Sequence, residues 1–491
     1  MTILEFFKTV HPSVLAAKII FRYLVEHYPT LKISDIAETT SGGTPSRGMP
    51  EYYNGNIPWI KSGELKDGLI KTCDEYISEL GLKNSSAKLF PKGTLLVAMY
   101  GANIGKTGVL DFDAATNQAV CAIFPKVEIS RDYLFWYFKQ QRIDFIAIGK
   151  GGAQPNISQT VINNASIVVP KPEVQKKIVS FLERIEIGEA IDYNFFIPEV
   201  LKDVETIYKY KKSYVELSES FSHQLNLLSN LNQAILQEAV QGKLVPQDPN
   251  DEPASELIKR IKAEKTKSGK KEKPLPPIQP EEIPFEIPEN WVWCRLGEIC
   301  TKVTDGFHHT PKKLSEGKIY ISATHIRDSG IKWDECLFIS EIDHNDLYKK
   351  ASPQKGEILI TNRGAGCGTP VIIDIDDEFS FQNAALIGFN QELICNKYLF
   401  YFILKSRSEI MESFVNGGLQ PMLSNVVLST IPIPLPPLSE QKRIVAAIEK
   451  QFALTQQLKE KVLANQQSTE QLLKALLHQA FEVREVKEVN S

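Results

Sequence analysis

The sequence predicts an α+β fold: two similar domains separated by two long helices that form an antiparallel coiled coil. Three observations predict it. A series of strand-like segments occurs twice at a constant offset, a helical heptad follows each series, and a Pro/Lys-rich stretch separates the first pair from the second. With 491 residues the chain is also too long for a single hydrophobic core.

Taken in order, residues 1–30 place Val14, Leu15, Ile19, Ile20, Tyr23 and Leu24 at helical spacing, which predicts an N-terminal helix. Residues 31–171 form the first domain. Leu95–Met99, Ala119–Ile123 and Ile167–Val169 are short apolar runs broken by Gly, Pro and Asn, as strands are. Tyr133–Phe138 reads as a helix, because Asp132 precedes it and charged residues follow. Residues 172–245 are a central helical region with a break near 188–198. Residues 246–290 are a Pro/Lys-rich linker, with a brief helix between Ala254 and Glu264 and an extended tether elsewhere. Residues 291–438 form the second domain and residues 439–491 a second helical region.

The duplication is read from matched segments. Phe90–Leu96 returns as Ser352–Leu359, Thr116–Ala119 as Phe381–Ala384, Tyr133–Phe138 as Tyr398–Phe402, and Gly151–Ser158 as Gly417–Ser424. The offset stays near about 265 residues, which chance similarity does not produce. Val200, Val204, Ile207, Lys211, Tyr214, Ser218, Phe221, Leu225, Leu228, Asn232, Ile235 and Ala239 alternate steps of four and three, a heptad seam with polar breaks at Lys211, Ser218 and Asn232. Ile444, Ile448, Phe452, Thr455, Leu458, Val462, Thr469, Leu472 or Leu473, Leu476 and Ala480 keep a similar rhythm. Helices of about 40 residues measure about 60 Å. The two regions differ in length: Gln175 to Ala239 exceeds Gln441 to Ala480 by about 25 residues, a surplus around Gly188–Lys202 that contains the helix breaker Pro198.

Composition sets limits on function. A net charge of −4 gives no global sign of a polyanionic partner, although local patches decide such contacts. The seven cysteines form no C-x-x-C pair, so neither zinc nor a disulfide framework is expected. No apolar run reaches the ~18 residues of a membrane span. No signal peptide is read at the N-terminus, and a cytoplasmic location is expected.

Tyr100–Thr107 looks like a phosphate-binding loop, in which backbone N–H groups and a lysine hold phosphates. It is one residue short between its first Gly and Gly105–Lys106, a strand-like turn follows in place of a helix, and the second copy, Gly364–Pro370, lacks the lysine. A Gly-rich loop joining two strands accounts for both copies. His308–His309 cannot share one face of a strand as metal ligands, and a loop of donors facing a polyanion is the competing reading. No hydrolase, metalloprotease or cofactor fingerprint occurs, so no catalysis and no cofactor is expected.

What remains is a set of polar loops. The first domain offers Thr44, Ser46, Arg47, Lys61, Asn103, Lys106, Thr107, Lys150 and Gln154. The second offers His308, His309, Thr310, His325, Arg327, Asn362, Arg363, Asn416 and Gln420. These types hydrogen-bond phosphates and base edges, and the intervening glycines let backbone approach a ligand. Any one of them also fits an ordinary solvated loop; the recurrence of equivalent loops in both copies gives the set its weight. A coiled-coil scaffold joining two protein-binding domains is the alternative reading of the same features.

Several segments carry a resemblance. They are Leu296–Ile299, the two Gly-Gly-x-Gln-Pro runs, Ile431–Gln441 and Gln237–Val245. With them, nearly the whole chain resembles the specificity subunit of type I restriction-modification systems. The resemblance implies two target-recognition domains, at 31–171 and 291–438, each reading one half of a bipartite site in double-stranded DNA. It implies that the helical regions space the domains and dock two methyltransferase subunits, which endonuclease/translocase subunits then join. It also implies a non-catalytic chain, with no membrane partner.

Overall fold

The computed structural model describes residues 3–126, 128–149, 156–189, 198–267, 274–307, 309–364, 366–414 and 423–481. The chain divides into two compact units, Met1–Ser222 with Leu463–Ser491, and His223–Val462.

In the first unit the central strand is Leu95–Ala98, flanked by Val120–Pro125 and Thr107–Leu110, with Ala37–Ser41 and Gly68–Ile70 at the edges of a five-stranded sheet. Leu95, Leu96, Val97 and Ala98 are all fully buried, which is why this strand reads as a continuous apolar run. Leu95 and Val97 join the core beneath the helix Arg131–Ile148, while Leu96 and Ala98 face a second core with Ile60, Leu65 and Leu110. A smaller sheet pairs Tyr53–Ile60 in parallel with Ala114–Thr116 and adds Tyr76–Ile77 and Leu89–Phe90 at its edges.

The second unit repeats the plan. Ile358–Thr361 lies between Ala384–Gly388 and Pro370–Ile372, and Lys302–Asp305 is the outer strand. A separate sheet pairs Lys318–Ser322 in parallel with Phe379–Gln382 and ends at Leu337–Ile339.

The duplication extends to single hydrogen bonds. Gln175 accepts from the Ser130 amide (2.8 Å) and donates to the Pro170 carbonyl (2.8 Å). Gln441 accepts from the Cys395 amide (2.9 Å) and donates to the Pro436 carbonyl (3.0 Å). Tyr133 and Tyr398 likewise donate to the carbonyls of Val168 (2.8 Å) and Pro434 (2.6 Å). Each glutamine sits fully buried near the start of a helix and ties that helix to its domain.

Two long helices, Pro198–Val240 and Leu438–Phe481, each contribute to both units. Between residues 211 and 234 the positions that are not exposed are 211, 214, 218, 221, 225, 228 and 232, the heptad expected from sequence. In the first unit Val204 and Ile207 share a core with Leu473 and Leu477, and the Tyr214 hydroxyl donates to Glu470 (3.3 Å). In the second, Ile235 and Ala239 share a core with Ile444 and Ile448, and Thr455 donates to the Asn232 side chain (2.8 Å). Higher numbers on one helix meet lower numbers on the other, so the pairing within each unit is antiparallel. The helix Pro172–Glu186 ends in a turn at Ile187–Gly188, and the next described helix starts at Pro198.

Three expectations change. Leu458 is 49% exposed and stands outside the seam. The N-terminal segment is two helices, Ile3–Thr9 and Pro12–His27, and Lys211 donates to the carbonyls of Phe7, Lys8 (3.0 Å) and Val10 (3.2 Å) at the end of the first. The linker is not a free tether over its described length. Helix Ala254–Lys267 buries Ala254, Leu257 and Ile261 in the second unit, and the Arg295 guanidinium holds the carbonyls of Pro276 and Pro277.

A candidate nucleic-acid interface

The Gly-rich segment Gly101–Lys106 closes a hairpin. Leu95–Ala98 and Thr107–Leu110 are antiparallel, the Gly105 amide donates back to Ala98 (2.8 Å), and no helix follows. Gly105 has φ +73°, and a Cβ there would stand 2.9 Å from the Arg142 Cα, so a side chain is excluded twice over. The second copy has the same turn, with Gly368 at φ +82° donating to Thr361 (2.7 Å). A strand-joining loop is therefore what both copies contain.

In the first unit, the loop after Ala37–Ser41 carries exposed Thr44, Ser46 and Arg47. It is fastened to the smaller sheet: the Trp59 indole donates to the Gly43 carbonyl (3.0 Å) and the Tyr53 hydroxyl to the Pro45 carbonyl (2.5 Å). Arg47 lies over the Tyr53 ring (4.4 Å to the centroid) and near that of Trp59 (5.2 Å). Thr44 donates to Gln118, and Glu75 bridges Arg47 and Lys61. Half-exposed Asn103 and Lys106 stand on the hairpin loop, with the Asn103 amide close to Gly63, beside Lys61. These loops thus form one polar edge.

In the second unit the counterpart loop carries exposed His309 and Thr310. Thr310 is hydrogen-bonded to the buried Gln382 (3.2 Å), which also accepts from the Tyr320 hydroxyl (2.5 Å). Arg327 and Arg363 are exposed, and Arg407 pairs with Asp328 (3.3 Å) nearby in sequence to Arg327.

Three of the expected contact residues are buried and serve the fold. Thr107 is fully buried and bonds Asp67 through its amide (2.8 Å) and hydroxyl (3.2 Å). The buried His325 accepts the Ser322 amide at Nδ1 (3.1 Å), leaving Nε2–H to donate to the Glu335 carbonyl (3.0 Å). Asn362 is 7% exposed and donates to Asp305 (2.9 Å). Lys150, Gln154, His308, Asn416 and Gln420 lie outside the described residues. Glu75, Gln118 and Gln382 were not singled out from sequence. The two glutamines fall inside the matched segments Thr116–Ala119 and Phe381–Ala384, and that was their available signal.

Among the described residues no cluster of three His, Cys, Asp or Glu is placed to hold a metal, and no helix is long and apolar enough to cross a membrane.

The family model described as the type I restriction modification DNA specificity domain matches residues 26–193 and again 288–464. The chain belongs to this family. It is 33% identical over 388 residues to the EcoAI specificity subunit of Escherichia coli, covering 72% of this chain and 65% of that one. It is 25% identical over 445 residues to the MjaIX specificity subunit of Methanocaldococcus jannaschii, covering 89% and 87%. The matches span about two-thirds and under half of the EcoAI and EcoEI subunits, 65% and 45% of their lengths. A chain from a solved type I restriction-modification system shares the fold, with a TM-score of 0.51 at 17% identity over 92% of this chain and 97% of that one. The family's specificity domain thus occurs twice here, once on each set of sheets.

Proposed function

We propose that the chain is the DNA-reading subunit of a type I restriction-modification complex, without catalysis of its own. Each specificity domain reads one half of a bipartite site in double-stranded DNA. The long helices set the distance between the halves and dock two methyltransferase subunits, which endonuclease/translocase subunits join. The observation that carries the reading is the double match to the specificity domain, at 26–193 and 288–464. The donor-rich loops of each copy supply contacts of the kind that nucleic acids need: exposed Thr44, Ser46 and Arg47 with half-exposed Lys61, Asn103 and Lys106 in one, exposed His309, Thr310, Arg327 and Arg363 in the other.

Docking is supported by apolar side chains that lie off the seam. The central helix exposes Val215, Leu217, Leu227 and Leu231, and the C-terminal helix Leu454, Leu458, Leu463 and Leu472. Each unit carries two from each helix, a distribution that suits two equivalent partners.

The test is to assemble the chain with its methyltransferase subunits and sequence the methylated positions of the host genome. One bipartite motif is expected, and uniform, sequence-independent modification would overturn the reading. Affinity for the motif should fall steeply with salt, as phosphate contacts require; salt-independent binding would favour a protein scaffold instead.

A further inference from the structure

Glu75 has an unusual place for a carboxylate on a surface that meets DNA. Its backbone is fixed, since its carbonyl accepts from the Trp59 amide (2.8 Å) and the Cys73 thiol (2.9 Å). Its two carboxylate oxygens take both terminal nitrogens of Arg47, one of them at 3.0 Å, and Lys61 reaches the same carboxylate at 3.1 Å. The guanidinium plane is held a second time by the Tyr53 ring at 4.4 Å. Arg47 is 57% exposed, so it is restrained without being covered.

A free arginine on a flexible loop binds any phosphate within reach. Here a phosphate arriving at the terminal nitrogens must displace a carboxylate that already occupies both, and two cations share one anion, so the local charge is nearer one than two. Five N–H donors belong to a guanidinium, and the end-on pair with Glu75 uses only two of them. Among the described residues Arg47 donates hydrogen bonds through its two terminal nitrogens, both to Glu75, and makes none through Nε. The Nε edge presents two parallel donors, the pattern that matches the O6 and N7 acceptors of guanine in the major groove.

We propose that Glu75 is a specificity-determining positioning residue, holding Arg47 with its Nε edge outward for bidentate contact with a base and denying it and Lys61 to phosphates. This rests on the DNA-reading function proposed above. Glu75 does not touch the DNA in this scheme; it acts through Arg47. The cost is weaker binding to arbitrary duplex, and the gain is a larger ratio of specific to nonspecific affinity.

The experiment uses the full chain assembled with its methyltransferase subunits, selection from a randomised duplex library, and poly(dA-dT), which lacks the O6/N7 acceptor pair, as the nonspecific competitor. Glu75→Gln should bind poly(dA-dT) more tightly, with a salt slope steeper by about one. It should also lose at least tenfold in discrimination at one base pair of one half-site, with the other half-site unchanged. Arg47→Lys keeps the charge and removes the planar fork, and should lose the same base pair with no change in salt slope. Selection retained at the remaining base pairs of the same half-site reports that the domain carrying each variant has folded. If Glu75→Gln fails to fold, Arg47→Lys decides alone. Unaltered discrimination by a folded Glu75→Gln, or by Arg47→Lys, overturns the inference while the DNA-reading function stands. A wild-type complex that selects no motif overturns the function itself.

Discussion

Arg295 is a buried cation whose bonds are made within the fold. Only 3% exposed, it makes five hydrogen bonds: to the carbonyls of Pro276, Pro277 and Thr430, and to both oxygens of Glu282. A hydrogen bond from a charged group contributes about 1.5–3 kcal/mol, and Glu282, at 33% exposed, regains water once the guanidinium is gone. Arg295→Ala should therefore destabilise the second unit by that order and open residues 274–290 to protease, which limited proteolysis with denaturant melts would measure. The same pair sets a pH window. Arg295, then the Gln279 amide, hold the Glu282 carboxyl down at about 2 from an ordinary 4.5. Its contribution is complete above pH 4.5 and is lost as pH falls toward 2, so amide exchange in 274–290 should accelerate over that range in the wild type. Arg295→Met should remove most of the pH dependence, the Gln279 amide keeping the remainder. Residue chemistry was only partly legible in the sequence. Thr107, His325 and Asn362 are donor types that bind DNA or brace a loop equally well, and only burial separates the two uses. Glu75 escaped notice because a carboxylate is not sought next to a polyanion.

The long helices were the most legible elements, because a heptad names both the buried face and its period. Even so, apolar identity misled at Leu458: on that turn the seam runs from Thr455 to Val462, and the leucine faces outward. The polar breaks are partners in register. Lys211 caps the helix Ile3–Thr9, and Asn232 meets Thr455. Asn232→Ala should cost about 1 kcal/mol by denaturant melts. The double variant Asn232→Val with Thr455→Val should be no less stable than wild type, because both polar groups leave together. Leu227→Asp with Leu231→Asp should leave the melting temperature unchanged, both side chains being exposed, yet weaken assembly with methyltransferase subunits at least tenfold by native mass spectrometry. The linker was the least legible element. A Pro/Lys-rich composition signals an extended chain, but it does not say whether that chain is bound, and here Arg295 and the Ala254–Lys267 helix bind it.

For the whole molecule, the duplication was legible because two copies of a fold keep their turns, and glycines such as Gly105 and Gly368 cannot drift. Residues in the Gly-Gly-x-Gln-Pro runs lie outside the described structure. Replacing 291–438 with the matching domain of another family member should change one half of the methylated motif, read by methylome sequencing. A change in both halves would defeat the modular reading. The fully buried glutamines show why such an exchange is structurally cheap. The bonds made by Gln175 and Gln441 run to main-chain amides and carbonyls, groups that every sequence supplies. The fastening between domain and helix is therefore indifferent to side-chain identity at its partners, and the loops can be rewritten while the joint keeps its shape.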